Sequence, residues 1–141
     1  MNMFSMLYVG MLSVMDIRKK KLPLCWLIVG FIAGGIAAFV QLWQGNNTIE
    51  DIVLAMIPGI CYLVLSFIAC GQVGSGDGLI LIVMGLMIGR NGIWFVFVAG
   101  QLMISVWAMG LLAIKKVEKN KELPYVPFLF GGMILYKAVM L

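Results

Sequence analysis

Long apolar stretches alternate with short polar ones along the whole chain. Each apolar stretch is bounded by charged residues, glycine or proline, and together they cover residues 3–15, 24–43, 52–70, 78–89, 93–114 and 125–140. A helix that crosses a bilayer needs about 20 apolar residues, within a range of about 17–25. The second, third and fifth stretches have that length, the first and last are slightly short, and 78–89 is the shortest. The pattern predicts an all-α, polytopic membrane protein with about six transmembrane helices.

The positive charges predict how these helices are oriented. Eight of the ten Lys and Arg residues lie within 16–23 and 115–124. Short loops rich in Lys and Arg stay on the cytoplasmic side of a membrane. If the chain starts outside, six crossings place these two loops and 71–77 inside, and 44–51 and 90–92 outside. We therefore expect a multi-pass protein of the cytoplasmic (inner) membrane that contacts lipid on its outer surface.

The composition restricts the chemistry that this chain can perform. Of 141 residues, 63% are hydrophobic and 11% are charged, whereas soluble domains average about 45–50% apolar and about 25% charged residues. We expect one membrane domain over residues 1–141, and the net charge of +4 is explained by topology without a nucleic-acid partner. Because the chain has no histidine, it lacks the usual general base and a common metal ligand. Carboxylates, lysine or tyrosine must supply any proton chemistry, and we expect no metal and no cofactor.

Two aspartates stand where apolar stretches meet polar loops. Asp16 follows the stretch 3–15 directly, and Asp77 precedes the stretch 78–89. The predicted topology places both on the cytoplasmic side at a similar depth. Two carboxylates that share one proton can activate a water molecule against a peptide carbonyl. Asp16 and Asp77 are therefore candidates for the catalytic pair of a membrane aspartic protease.

Each aspartate also has a purely structural interpretation. Asp77 could be the N-cap of the helix that follows it, and Asp16 could form a surface ion pair with Arg18 or Lys19. The neighbours of Asp77 favour a functional role, because Gly74 and Gly76 predict a loop with few side chains that another backbone can approach closely.

Three motifs in this order resemble a known family. GSGD at 74–77 resembles the GxGD motif of membrane aspartic proteases. Together with DIRKKKLP at 16–23 and PYVPFLFGG at 124–132, it is similar to the type IV prepilin peptidases and their archaeal preflagellin relatives. The resemblance implies a GxGD aspartic protease fold with Asp16 and Asp77 as the catalytic residues. It also implies substrate-binding or loop roles for four further residues, which are Gly74, Gly76, Pro127 and Phe128.

The resemblance implies an aspartic endopeptidase with a membrane-bound substrate. Such an enzyme cleaves the basic leader from prepilin-like or archaellin-like proteins at the cytoplasmic face of the membrane, where the leader meets a hydrophobic helix. Glu118 and Glu122 are candidates for contacts with the basic leader, and a solvated loop is the alternative interpretation of both.

The chain also departs from the family pattern. Leu79 stands where the family commonly has lysine, and Leu24 stands where it commonly has asparagine. Large bacterial members carry an additional region with paired C-x-x-C motifs that is associated with N-methylation. The sequence has no such motif, so we expect the short form that has peptidase activity alone.

Other functions stay open at this point. One alternative is a GxGD intramembrane protease similar to presenilin and signal peptide peptidase, although Met15 stands here where that group has tyrosine. Another is a non-catalytic membrane subunit of a pilus or secretion system. A carrier of ions or protons would need acidic residues near helix centres. The sequence leaves open which pilin or archaellin is the substrate, whether the host is bacterial or archaeal, and the oligomeric state.

Overall fold

The computed structural model describes residues 3–19, 24–68, 74–113 and 125–140. Within these ranges all regular structure is helical. The six helices are α1 (Met3–Lys19), α2 (Leu24–Trp43), α3 (Ile49–Ile68), α4 (Ser75–Ile88), α5 (Arg90–Ala113) and α6 (Val126–Met140). The predicted all-α fold with six helical segments is confirmed, and α2 has the predicted bounds.

Several helices extend into segments that the sequence pattern assigned to loops. α1 continues through Asp16 to Lys19, and α3 begins at Ile49, so that Glu50 and Asp51 form its first turn. α5 begins at Arg90, which leaves Gly89, with φ of 82°, as the residue between α4 and α5. Polar residues ended the apolar stretches without ending the helices. Acidic side chains are favourable in the first turn of α3, and basic side chains are favourable in the last turn of α1.

Two predicted features lie outside the described residues. The first is the part of the basic segment 16–23 that follows α1, residues 20–23. The second is the basic segment 115–124, which contains Glu118 and Glu122. The orientation of the chain in the membrane therefore stays a prediction from the charge pattern.

The shortest helix, α4, is the central one. It packs against α1, α2, α3 and α5, and its buried residues are Gly78, Ile80, Leu81, Ile82, Val83, Met84, Gly85 and Met87. A helix that is apolar on all sides belongs in an interior. Because protein surrounds α4 on several sides, its 14 residues do not have to match the thickness of the lipid on their own.

α3 and α4 approach each other closely through small residues. A Cβ atom added at Gly85 would meet the carbonyl oxygen of Ala55, and one added at Gly59 would lie 2.5 Å from Cγ1 of Ile82. Toward the other end of the pair, a Cβ atom at Gly78 would lie 2.8 Å from Cγ of Leu63. Small residues at such contacts let two helices pack backbone to backbone in a membrane protein.

The outer surface of the bundle is apolar. Large hydrophobic side chains are exposed on its outer helices, among them Ile32 and Phe39 of α2, Phe67 of α3, and Val106 and Met109 of α5. Three helical segments are long and apolar enough to cross a membrane, namely Cys25–Trp43, Ile49–Ile68 and Arg90–Leu111. The chain is a membrane protein, and full crossing by the remaining described helices stays a prediction.

Candidate active site

The helical repeat of α1 turns Asp16 toward the interior. The buried residues of α1 lie on one stripe with helical spacing, and they are Ser5, Tyr8, Val9, Leu12, Ser13 and Asp16. Residues three and four positions apart lie on the same face of a helix, so Asp16 continues the stripe that Val9 and Leu12 form. Its side chain is only 7% exposed, whereas Arg18 is exposed. The burial of Asp16 therefore speaks against a surface ion pair with Arg18, and the side chain of Lys19 lies outside the described residues.

The start of α6 holds the Asp16 carboxylate. The backbone N–H of Val126 donates to Oδ2 of Asp16 over 3.2 Å, and the backbone N–H of Tyr125 also interacts with this carboxylate. The first N–H groups of a helix have no partner within the helix, and their aligned dipoles attract negative charge. Asp16 thus supplies from α1 the acceptor that the first turn of α6 lacks.

Asp77 lies in the first turn of its own helix. Gly74 is the residue before α4, in an extended conformation, and the Asp77 N–H donates to its carbonyl oxygen over 3.1 Å. Asp77 is therefore the third helical residue and not the N-cap. The predicted glycine loop is shorter than expected, because Ser75 and Gly76 already belong to α4.

Gly74 leaves room for the Asp77 side chain to fold back toward the helix start. A Cβ atom added at position 74 would lie 3.0 Å from Oδ2 of Asp77. Contacts of that length require one of the two groups to move. A side chain at position 74 would therefore compete with the Asp77 carboxylate for its present place.

Two tyrosines that the sequence interpretation missed complete this end of the bundle. The rings of Tyr62 in α3 and Tyr125 stack with centroids 5.2 Å apart and an interplanar angle of 23°. The negative charge of Asp77 acts on both hydroxyl groups. Burial, followed by the neighbouring Tyr62 and Asp77, raises the pKa of the Tyr125 hydroxyl, so this group stays protonated at neutral pH.

Tyr125 therefore links the two candidate acids. Its backbone N–H and that of Val126 reach Asp16, while its hydroxyl lies in the field of Asp77. Asp16 and Asp77 lie at the same end of the bundle, around the start of α6. The only signal in the sequence was the position of Tyr125 within the PYVPF segment, directly before an apolar stretch.

Pro127 and Phe128 lie in the first turn of α6, and both are partly buried. Pro127 has no N–H and is well suited to a helix start. The Phe128 ring packs against Trp107 of α5, with the ring centroids 6.4 Å apart. Leu79, which replaces the expected lysine, packs partly buried against the apolar core. Substrate contacts of Pro127 and Phe128 stay a prediction.

The opposite end of the bundle carries an acid with local partners. The Thr48 hydroxyl donates to Oδ2 of Asp51 over 2.8 Å, and Arg90 lies 3.3 Å from Oδ1. A cavity of about 770 Å³ opens beside this pair, and its polar lining includes Gln41, Gln44, Asn46, Asn47 and Asn91. Several of these amides bond to each other, as Asn46 does to Gln44 and Asn47 does to Gln41.

Comparison with known proteins supports the same assignment of family. The model of the type IV leader peptidase family matches residues 3–114, a range that contains both Asp16 and Asp77. The segment with Tyr125, Pro127 and Phe128 lies beyond the matched range. No curated protein and no solved structure matches the chain. With most of its length matched, and with two aspartates gathered at one end of a helical bundle, this chain belongs to the type IV leader peptidase family.

Proposed function

We propose that this protein is an aspartic endopeptidase that removes the basic leader from prepilin-like or archaellin-like proteins. Membership of the type IV leader peptidase family supports peptidase activity in general. Within the proposal, Asp16 and Asp77 are the catalytic acids, a water molecule is the nucleophile, and no N-methyltransferase activity accompanies the cleavage.

One observation carries the proposal most strongly. Asp16 is buried, is held by backbone N–H groups of residues 125 and 126, and so lies beside the tyrosine that also meets the charge of Asp77. A buried carboxylate at a helix crossing has no role as a solvated surface charge. Groups of this kind, gathered with a second carboxylate, are typical of sites for proton transfer.

In the proposed reaction the two carboxyl groups share one proton. The ionised carboxylate takes a proton from water as the water oxygen attacks the carbonyl carbon, and the protonated partner gives its proton to the carbonyl oxygen. When the tetrahedral intermediate collapses, the carbon–nitrogen bond breaks and the amine nitrogen receives the proton that the first carboxylate took. The carbonyl re-forms as the second carboxyl recovers its own proton.

The proposed substrate is matched to the depth of the two acids. A leader with positive charge lies in the cytoplasm, and the hydrophobic helix that follows it lies in the bilayer. The scissile bond is then at the membrane interface, which is where the charge pattern puts Asp16 and Asp77. Reporter fusions at positions 45 and 120 test this orientation, since the proposal needs them on opposite sides of the membrane.

The decisive experiment is coexpression with a prepilin substrate whose cleavage is followed by its change in electrophoretic mobility. Asp16→Asn and Asp77→Asn should each abolish processing, because an amide can neither take nor give the proton. Asp51→Asn is the matched control, and it should leave processing intact because Asp51 lies at the other end of the bundle. Processing by either active-site variant would refute the assignment.

The same variants, followed by pilus assembly or secretion, separate the peptidase from a non-catalytic subunit. A subunit with a scaffolding role would support pilus assembly or secretion in the Asp16→Asn variant, provided that the variant accumulates to normal levels in the membrane. A peptidase that depends on Asp16 would not support pilus assembly or secretion in this variant.

A further inference from the structure

The Tyr125 hydroxyl occupies an unusual position. Tyr125 is 3% exposed, and its hydroxyl oxygen has no hydrogen-bond partner among the residues that the structure describes. Most buried polar side-chain groups are hydrogen-bonded, so each exception calls for an explanation. Tyr8 illustrates the ordinary case, because its hydroxyl donates to the carbonyl oxygen of Trp26 over 2.7 Å.

The surroundings of Tyr125 hold this hydroxyl in place. The ring is stacked on Tyr62, and the carbonyl oxygen of Tyr125 accepts from the N–H of Phe128 over 3.1 Å and from that of Leu129 over 3.3 Å. The N–H side of the residue faces Asp16. The ring stack and these main-chain bonds together restrict where the hydroxyl can find a partner.

The titratable groups around the Tyr125 hydroxyl suggest which of them is its hydrogen-bond partner. Tyr62 from α3, Asp77 from α4 and Asp16 from α1 are the titratable groups that surround Tyr125. Only the two aspartates offer carboxylate oxygens, and Asp16 already accepts from the backbone at residues 125 and 126, which leaves Asp77, whose charge also acts on the hydroxyl after that of Tyr62, as the candidate acceptor. Hydrogen bonds at active sites are often long before substrate binds and shorten in the complex.

We propose that Tyr125 is a positioning residue of the peptidase, whose hydroxyl donates a hydrogen bond to the Asp77 carboxylate when substrate is bound. The inference rests on the proposed function. A donor of this kind favours the ionised form of Asp77 and fixes the direction in which its other oxygen points. Since the backbone of the same residue holds Asp16, Tyr125 sets the position of both acids relative to each other.

The test is Tyr125→Phe, which removes one oxygen atom and keeps the ring stack. Tyr136→Phe is the matched control, because Tyr136 also lies against an aromatic ring, that of Phe95, but at the far end of α6. Purified proteins are compared on a prepilin leader substrate for kcat, KM and the pH dependence of kcat, which reports the pKa values of the substrate complex, together with thermal melting in detergent.

We expect Tyr125→Phe to lower kcat by about tenfold to a hundredfold, the usual effect of losing a hydrogen bond to a charged group, with little change in KM. The pH profile should move to higher pH, because the carboxylate that loses its donor is protonated more readily and the two acids titrate as a pair. Tyr136→Phe should match the wild type in kcat and pH profile.

Two outcomes would overturn the inference alone. One is an unchanged kcat and pH profile in Tyr125→Phe, and the other is a lower melting temperature with an unmoved pH profile, which would indicate packing only. A wild-type protein that cleaves no leader substrate would instead refute the proposed function, and this inference with it.

Discussion

Two helices of this protein begin with the same arrangement but differ at one residue. α3 starts after Thr48 and α4 starts after Gly74, and in both an aspartate is the third helical residue, Asp51 and Asp77. Thr48 and Asp51 form a reciprocal cap, in which the Thr48 N–H donates to Asp51 over 3.1 Å and the Asp51 N–H donates to the Thr48 hydroxyl over 3.3 Å. Gly74 has no side-chain oxygen and forms no such cap.

The difference shows how an aspartate at a helix start can serve a catalytic role instead of a capping role. A capping box ties the carboxylate to the helix that it starts, and Arg90 also neutralises the charge of Asp51. At α4 the glycine replaces the capping hydroxyl, and the carboxylate instead lies in a cluster with two tyrosines from other parts of the fold. An acid at a helix start therefore indicates a functional site only when the residue at the N-cap position leaves its carboxylate without a capping role.

The largest effect is expected from building the missing cap. Gly74→Thr would give α4 the start that α3 has and would place a side chain against Oδ2 of Asp77, since even a Cβ atom lies 3.0 Å from it. We expect leader cleavage to fall about a hundredfold, as for other displaced catalytic groups, while the protein stays folded. Initial rates of cleavage measure this effect.

Thr48→Gly is the reciprocal change and the control for that experiment. It should leave the cleavage rate within about twofold of the wild type, because Asp51 is not part of the proposed reaction. A Gly74→Thr variant with the wild-type rate would contradict the importance of a glycine at position 74.

An intermediate effect, on stability and not on chemistry, is expected where α3 and α4 touch. Gly85→Ala would drive a methyl group into the carbonyl oxygen of Ala55, and we expect the free energy of unfolding to drop by about 1–3 kcal/mol. Gly35→Ala is the matched control, since nothing lies within 4 Å of an added Cβ there. Thermal melting in detergent measures both, and equal melting temperatures would show that the contact can relax.

The smallest effect is expected from removing the cap of α3. Thr48→Ala deletes the hydroxyl that bonds to Asp51, and loss of an N-cap costs about 1 kcal/mol. We expect a slightly lower melting temperature and an unchanged rate of leader cleavage. A large loss of cleavage in this variant would mean that the α3 start influences the site across the length of the bundle.

The apolar pattern was sufficient to predict the helices but not their environment. It located all six segments and the bounds of α2, because apolar runs of that length have few alternatives to a helix in a membrane protein. It could not show that 78–89 is the central segment, because a helix surrounded by lipid and a helix surrounded by protein are both rich in apolar residues. The polar ends of α1 and α3 were assigned to loops because hydropathy does not register helix capping.

The two acids were predictable, and their partners were not. Asp16 and Asp77 stand out because each borders an apolar stretch, and the positive charges predict a common side of the membrane for both. The contact between Asp16 and Val126 joins residues 110 positions apart, a separation at which local patterns carry no information. Tyr62 and Tyr125 likewise belong to different helical segments and meet only through the packing of α3 beside the start of α6.

The bond between Asp16 and the start of α6 has a consequence for how this site can vary among sequences. Its donor is the main chain, which every amino acid except proline provides. Side chains at position 126 are therefore free to change with the demands of packing while the acid keeps its place. Because Asp16 is buried, salt screens its contacts much less than those of the exposed Arg90–Asp51 pair, so the geometry around Asp16 should persist across the salt concentrations that a cell encounters.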